Sequence, residues 1–475
     1  MTDIVYGLGI SGLSAIKFFA KNTDGKGREV IATDDNEKSI EGAKQKLIQE
    51  NFPYLKNIQF QKPEEINFNS SSVISFSPGI PLNFPKSHKI LEIVKKTGAD
   101  LACDLEIFYR LNAGNTFIGI TGTNGKSTTT ALTGFIFKEL GFESEIGGNI
   151  GIPCFELPQN KNNFSYIFET SSYQLDLLSQ THFNIAALLN ITPDHIDRHG
   201  SMDGYIEAKK RIFRNQTEGD FALIDVDNEN SKKVFEELKN QTSGDKNFRA
   251  TTIPISTQKI QEGGVALIDG VLYNKIDANS KLELNSDFLR GKHNDQNMAF
   301  AFAITYCHLK QKSLLTNSSE SDIINAIKKF TGLRHRMQLL GEIDGIKFIN
   351  DSKATNAEST ENALKAYENV FWILGGKAKD GGISSLQPLF KKITKAYLIG
   401  EASEDFAKTL KENSVDFEKC GDLKNAFEAA LRDAKNSTLA EKNIMLSPAC
   451  ASFDQWKSFE QRGDFFCQLF DELSR

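Results

Sequence analysis

Several stretches of the sequence combine residue types that can handle phosphate, metal or protons. Gly122-Thr123-Asn124-Gly125-Lys126-Ser127 follows an apolar run at 117–120 and opens a helical pattern over 128–140. In that setting backbone N–H groups cradle phosphates, the Lys126 ammonium reaches the terminal phosphates, and the Ser127 hydroxyl can coordinate Mg2+. The match to the general P-loop is incomplete, because its first glycine would fall where this chain has Ile120. Glu169 ends the apolar run 166–168, where a metal-binding acid would stand beside such a loop. Asn190-Ile191-Thr192-Pro193-Asp194-His195-Ile196-Asp197 follows the next apolar run. It sets His195 among acids just past a strand end, on the side of a parallel sheet where sites form. A lone histidine is more often structural; this placement favours a site role.

A second glycine turn, Gly7-Leu8-Gly9-Ile10-Ser11-Gly12, lies between an expected strand at 3–6 and an expected helix reaching Ala20. Such glycines allow a tight turn and close backbone approach, and the helix N-terminus attracts a diphosphate. Asp34, after the second expected strand, is placed to accept a ribose hydroxyl. The loop Ser77-Pro78-Gly79-Ile80 can line the same crevice. NAD and a UDP-sugar both fit this pattern, and so does a turn with no ligand.

The elements that must carry these turns alternate apolar strand-like runs with amphipathic stretches, the pattern of parallel α/β domains. Strands are expected at 29–33, 73–76, 116–120, 166–168 and 186–189, and later at 347–349, 370–374, 396–399 and 443–446. Residues 241–286 are polar with short β-like pieces such as 265–268, and a helix is expected at 295–309. A length of 475 residues is ample for about three domains at ~150 residues each. The charge, 56 − 62 = −6, and the lack of a basic block disfavour a nucleic-acid or membrane-surface binder. No apolar run reaches the ~18 residues of a spanning helix. The start lacks a signal-peptide pattern, and six scattered cysteines without a Cys-x-x-Cys pair read as reduced thiols. A soluble, cytoplasmic protein without a structural zinc site is expected.

Taken in order along the whole chain, the motifs resemble those of the ATP-dependent Mur ligases. Gly122–Ser127, Glu169-Thr170-Ser171-Ser172, the stretch 190–198 and Glu207-Ala208-Lys209-Lys210-Arg211 carry the resemblance. So do Gly291-Lys292-His293-Asn294-Asp295-Gln296-Asn297 and Gly332-Leu333-Arg334-His335-Arg336. Asn350-Asp351-Ser352-Lys353-Ala354-Thr355-Asn356, the stretch 446–456 and Phe459-Glu460-Gln461-Arg462-Gly463 are similar to the branch that adds D-glutamate. Folylpolyglutamate synthases share the P-loop, but start close to it.

The resemblance implies three α/β domains. A Rossmann-like domain at 1–104 would bind the UDP substrate, a central P-loop-type domain at 105–332 would bind ATP, and a Rossmann-like domain at 333–475 would bring the amino acid and close on ATP. It implies ATP-dependent joining of D-glutamate to UDP-N-acetylmuramoyl-L-alanine through an acyl phosphate, in peptidoglycan precursor synthesis. The alternative is a related ligase with a different amino acid or acceptor. ATP contacts are implied for Gly122, Thr123, Asn124, Gly125, Lys126, Ser127, Thr128, Asn294, Asn297, Arg336 and Asp351. Lys126, His195 and Lys209 are implied as catalytic. Two Mg2+ ions would be held by Ser127, Glu169, His195 and a carbamylated Lys209; its residue types alone read equally as a solvated basic face. The UDP substrate would meet Gly9, Ile10, Ser11, Asp34, Ser77, Gly79 and Asn149. D-Glutamate would meet Lys353, Thr355, Lys379, Ser452, Phe453 and Phe459, with Lys377 a near alternative to Lys379 and the two phenylalanines open to a core role. A monomer is expected. One departure stands out: Asp35-Asn36 occupies a place where the family often has a basic residue near the uracil. A nicotinamide oxidoreductase would leave Lys126, Glu169 and 351–356 without roles.

Overall fold

Parallel strands buried on both faces need unbroken apolar sequence rather than alternation, and three such sheets organise the chain. The computed structural model describes residues 2–22, 29–149, 152–242, 248–286, 288–378 and 381–473. The first sheet contains β1 (Thr2–Tyr6), β2 (Glu29–Thr33), β3 (Ile58–Phe60), β4 (Ser72–Phe76) and β5 (Asp100–Ala102), in the order β3-β2-β1-β4-β5, all parallel.

The second sheet contains β6 (Thr116–Thr121), β7 (Ser144–Gly148), β8 (Ser165–Glu169), β9 (Ile185–Leu188), β10 (Phe221–Asp225), β11 (Thr251–Ser256), β12 (Val265–Ile268), β13 (Val271–Asn274) and β14 (Ser280–Glu283). Its order is β14-β13-β12-β11-β10-β9-β6-β8-β7. Only the β12-β13-β14 edge is antiparallel. Strand β6, buried at every position, pairs with β8 on one side and β9 on the other. The strand order reverses there, where ligand crevices form in open α/β sheets. The polar stretch expected at 241–286 therefore extends this sheet, with the hairpins supplying an edge too polar to be read as buried strand.

The third sheet contains β15 (Gln338–Ile343), β16 (Ile346–Asn350), β17 (Val370–Gly375), β18 (Ile393–Ile399), β19 (Phe417–Gly421) and β20 (Lys442–Leu446), ordered β15-β16-β20-β17-β18-β19. Its edge strand β15 is antiparallel.

The chain divides into two compact units, Met1–Asn285 with His293–Lys328, and Ser286–Lys292 with Lys329–Arg475. In the first, one apolar core runs from Tyr6 and Phe76 to Phe117, Tyr166 and Phe168, with the Phe108 ring edge-on to Tyr166 at 4.9 Å. In the second, Trp372 is fully buried and its indole N–H donates to the Ser447 carbonyl at 2.8 Å. All six cysteines are free thiols. Among the described residues, no helix is long and apolar enough to cross a membrane.

Candidate functional site

The turn between β6 and the helix Lys126–Glu139 is clamped from below. The helix begins two residues earlier than its sequence pattern indicates, so Lys126 is its first residue. Asn190, just past β9, accepts the Asn124 N–H on its side-chain oxygen at 2.8 Å and returns its amide to the Asn124 carbonyl at 3.1 Å. Gly125 has φ +83°, and a Cβ there would lie 2.5 Å from Asn297 Oδ1. Position 125 therefore demands glycine for both conformation and space. Asn297 accepts from Thr129 Oγ1 at 3.1 Å and donates to Asn294 Oδ1 at 3.0 Å. The two asparagines implied as ATP contacts thus stand directly behind the phosphate turn. Thr123 bonds the Thr192 carbonyl, while Ser127 and Thr128 lie half-buried in the first helical turn.

Two lysines meet at one carbonyl. Lys126 Nζ donates to Gly122 O at 2.9 Å and Thr123 O at 2.8 Å. Lys209, from the helix Met202–Lys210, donates to the same Gly122 O at 2.8 Å. Lys209 is 1% exposed. Burial first, and the Lys126 charge second, push its ammonium well below the usual lysine range. The Tyr205 ring lies 4.7 Å from Lys209 Nζ, and its hydroxyl is 3.2 Å from Thr123 Oγ1. The neighbouring Lys210 instead faces Glu207 and Glu237 at the surface.

Glu169 ends β8 as a buried carboxylate. Its Oε1 accepts from Asn149 Nδ2 at 3.0 Å, and its Oε2 is buried with no hydrogen-bond partner. An orphaned carboxylate oxygen beside a phosphate turn suits a hard divalent cation. Among the described residues no three His, Cys, Asp or Glu side chains gather into a metal cluster. A cation held at Glu169 would therefore need oxygens from hydroxyls or from bound substrate to complete its shell. His195 adopts a left-handed conformation as the residue capping the turn Ile196–His199. It is half-exposed, its Nε2 is 3.3 Å from Asp194, and the Tyr173 ring lies 5.0 Å away.

At the first glycine turn, a Cβ at Gly12 would fall 2.0 Å from the Gly7 carbonyl, so the helix Ile10–Lys21 can start tight against β1 only with glycine there. Asp34 accepts the Leu8 N–H at 2.9 Å and the Asn36 N–H at 2.9 Å. It therefore fixes the turn itself. Ile10 is strongly exposed at the mouth, and Ser77 is tied to Tyr6 O through its N–H. The departure at Asp35 has a local account. Its carboxylate accepts from Tyr6 Oη at 2.7 Å and His88 Nε2 at 2.8 Å, with Lys89 at 3.4 Å. His88 Nδ1 accepts the Ile90 N–H, so Nε2 carries the proton. These bonds, with Lys89, hold the carboxylate below its ordinary range despite an opposing desolvation cost.

In the second unit, Asp351 is buried and accepts from Ser447 Oγ at 2.7 Å and the Met337 N–H at 3.0 Å. Burial pushes its carboxyl up to about 7, against the Arg336 charge. Lys353 N–H donates to His335 O, and Thr355 N–H to Lys353 O. The Lys353 ammonium is 5.8 Å from the Phe459 ring. Ser452 is buried. Phe453 is 70% exposed, which rules out the core role left open for it, and Phe459 is half-buried. The Lys377 backbone pairs with Ala451 while its side chain is exposed; Lys379 lies outside the described residues.

Residues 120–305 match the Mur ligase middle domain, and residues 335–450 match the Mur ligase, glutamate ligase domain. The chain belongs to the Mur ligase family. It is 39% identical over 518 aligned residues to the UDP-N-acetylmuramoylalanine–D-glutamate ligase of Wolbachia pipientis wMel, covering 99% of this chain and 96% of that one. It is 40% identical to the protein of the same name from Caulobacter vibrioides, covering 98% and 94%. Among solved structures, MurF from Acinetobacter baumannii matches with TM-score 0.57 at 15% identity, over 89% of this chain and 88% of that one. The Thermotoga maritima UDP-N-acetylmuramate-alanine ligase MurC matches with TM-score 0.55 at 14% identity, over 100% and 99%. Both share the Mur ligase fold.

Three members of this Mur ligase site had no role assigned from the sequence. Asn190 holds the phosphate turn, and Tyr205 bridges that turn to Lys209. Arg198 donates to the carbonyls of Pro78, Gly79 and Ile80 at 2.7, 3.1 and 2.5 Å, fastening the second loop of the first sheet to the His195 turn. All three act through partners distant in sequence, which spacing cannot reveal.

Proposed function

We propose that this Mur ligase joins D-glutamate to UDP-N-acetylmuramoyl-L-alanine at the expense of ATP, in the synthesis of peptidoglycan precursors. The observation that carries the ligase chemistry is the phosphate turn whose Gly122 carbonyl holds both the Lys126 and the Lys209 amines. The relatives' names support the substrate pair. The domain at 1–104 holds the UDP end, 105–332 the nucleotide, and 333–475 the amino acid.

A carboxylate is a poor electrophile, so it must first gain a leaving group. The L-alanyl carboxylate oxygen attacks the γ-phosphorus of ATP, the bond to the bridging oxygen breaks, and ADP leaves. Lys126 turns from its loop carbonyls to the phosphates and screens the charge gathered on them. The D-glutamate amine then attacks the acyl carbon. The carbon–oxygen bond to phosphate breaks, an amide forms, and the nitrogen gives up a proton. Mg2+, held by Glu169, Ser127, His195 and substrate oxygens, would supply charge neutralisation. As a carbamate, Lys209 would join this set: a neutral amine adds to CO2 and releases one proton, and the burial that disfavours its ammonium supports that reaction. Lys353, Lys379 and Ser452 receive the two carboxylates of the amino acid.

The test is phosphate release from MgATP and UDP-N-acetylmuramoyl-L-alanine with a panel of D- and L-amino acids. D-Glutamate alone should support turnover. Comparable rates with L-glutamate or a diamino acid would overturn the substrate assignment.

A further inference from the structure

Among the described residues, the third sheet hides a cation with no ion-pair partner. Arg462, in the first turn of the helix Phe459–Leu473, is 1% exposed. Its Nε donates to Ser352 Oγ at 3.0 Å, and one Nη donates to Ser352 O at 2.9 Å and Cys450 O at 3.1 Å. Its other Nη is buried with no partner, and a Cβ at Gly376 would come within 3.2 Å of it. All the acceptors are neutral. Among the described residues no carboxylate forms an ion pair with Arg462. Asp454 is near enough to favour its charge, but its Oδ2 accepts the Glu401 N–H.

The guanidinium thus lies under three loops at the C-terminal ends of β16, β20 and β17, where parallel sheets bind ligands. Ser352 precedes Lys353, Cys450 stands two residues before Ser452, and Ser352 Oγ donates to the Phe459 carbonyl at 2.8 Å. Each loop or residue tied by Arg462 is therefore bonded to, or adjacent to, a residue assigned to the amino acid.

A buried charge left unpaired is costly, and apolar side chains of similar size fill such space at less cost. Three neutral hydrogen bonds do not require a full charge. An anionic ligand does. We infer that Arg462 is a positioning and specificity-determining residue for a dianionic amino acid: it ties the β16 and β20 loops together and keeps beneath them, beside the β17 loop, an uncompensated positive charge that the second carboxylate neutralises. This inference rests on the D-glutamate reading.

The experiment compares Arg462→Gln, which retains donors without charge, and Arg462→Lys, which retains charge, in the full-length enzyme. KM is measured separately for D-glutamate, ATP and UDP-N-acetylmuramoyl-L-alanine, together with kcat and the melting temperature. Arg462→Gln should raise the D-glutamate KM at least tenfold while the other two KM values stay within twofold, and Arg462→Lys should restore the D-glutamate KM to within threefold of wild type. If Arg462→Gln fails to fold, Arg462→Lys decides: a D-glutamate KM within threefold supports the inference, and a larger rise overturns it. Equal rises in all three KM values, a fall in kcat alone, or equal behaviour of the two variants overturns it as well. A wild type that ignores D-glutamate removes the substrate reading and this inference together. A wild type that uses D-glutamate, with an unchanged KM in Arg462→Gln, removes the inference alone.

Discussion

Replacing Lys209 by methionine should separate activity from stability. Lys209 is 1% exposed and its amine donates to the Gly122 carbonyl, which Lys126 also serves at 2.9 Å. Methionine fills similar volume and leaves that carbonyl still bonded. Exchanging a buried amine, whose charged form burial disfavours, for an apolar group of like size removes a desolvation cost and leaves no orphaned partner. The melting temperature of Lys209→Met should therefore equal or exceed that of wild type. Catalysis should fall, because losing one preorganised electrostatic group costs about 3 kcal/mol, roughly a hundredfold in rate. Lys210→Ala is the control. Its surface pairs with Glu207 and Glu237 are worth about 0–1 kcal/mol, so rate and melting temperature should barely change. Phosphate release and differential scanning fluorimetry on the three proteins give the answer. A fully active Lys209→Met, or one whose activity falls only in step with a lower melting temperature, would refute the reasoning.

Other perturbations report on separate parts. Lys126→Ala should lower kcat by about a hundredfold or more with the fold intact by circular dichroism; near-normal turnover at saturating MgATP would count against its phosphate role. Glu169→Gln keeps an oxygen for Asn149 but loses the charge behind the orphaned Oε2, so the Mg2+ concentration for half-maximal rate should rise at least tenfold; an unchanged Mg2+ titration would remove it from the metal site. Burial holds His308 neutral with a value lowered to about 4, between the rings of Phe137 and Phe142. As the pH falls from about 6.5 towards 4, the unfolded chain takes up a proton that the folded chain refuses, so up to about 3 kcal/mol of stability is lost. His308→Leu should flatten that acid limb in urea unfolding, and an unaltered slope would show that His308 does not titrate this way.

The parts of the fold legible in the sequence are those where burial imposes unbroken apolar runs. β2 (Glu29–Thr33) and β12 (Val265–Ile268) match their expected bounds, and β6, β8, β9 and β17 lie within one or two residues of theirs. Short or polar strands escaped: β3, β5, β7, β11, the hairpin strands β13 and β14, β15, and β19, whose positions are half-buried or exposed; β10, buried at every position, escaped as well. Glycine turns were legible because their conformations admit few residues, as Gly125 shows. Asn190, Arg198, Tyr205 and Arg462 were not, because each works by bonding residues from 66 to 120 positions away or in another loop. Such pairings exist only once the sheets bring strand ends together.

The most direct measurement follows oxygen rather than rate. UDP-N-acetylmuramoyl-L-alanine labelled with oxygen-18 in its terminal carboxylate is turned over with MgATP and D-glutamate, and the released phosphate is weighed by mass spectrometry. Attack of that carboxylate on the γ-phosphorus transfers one labelled oxygen to each phosphate. Unlabelled phosphate, or label appearing in AMP, would contradict the acyl-phosphate mechanism.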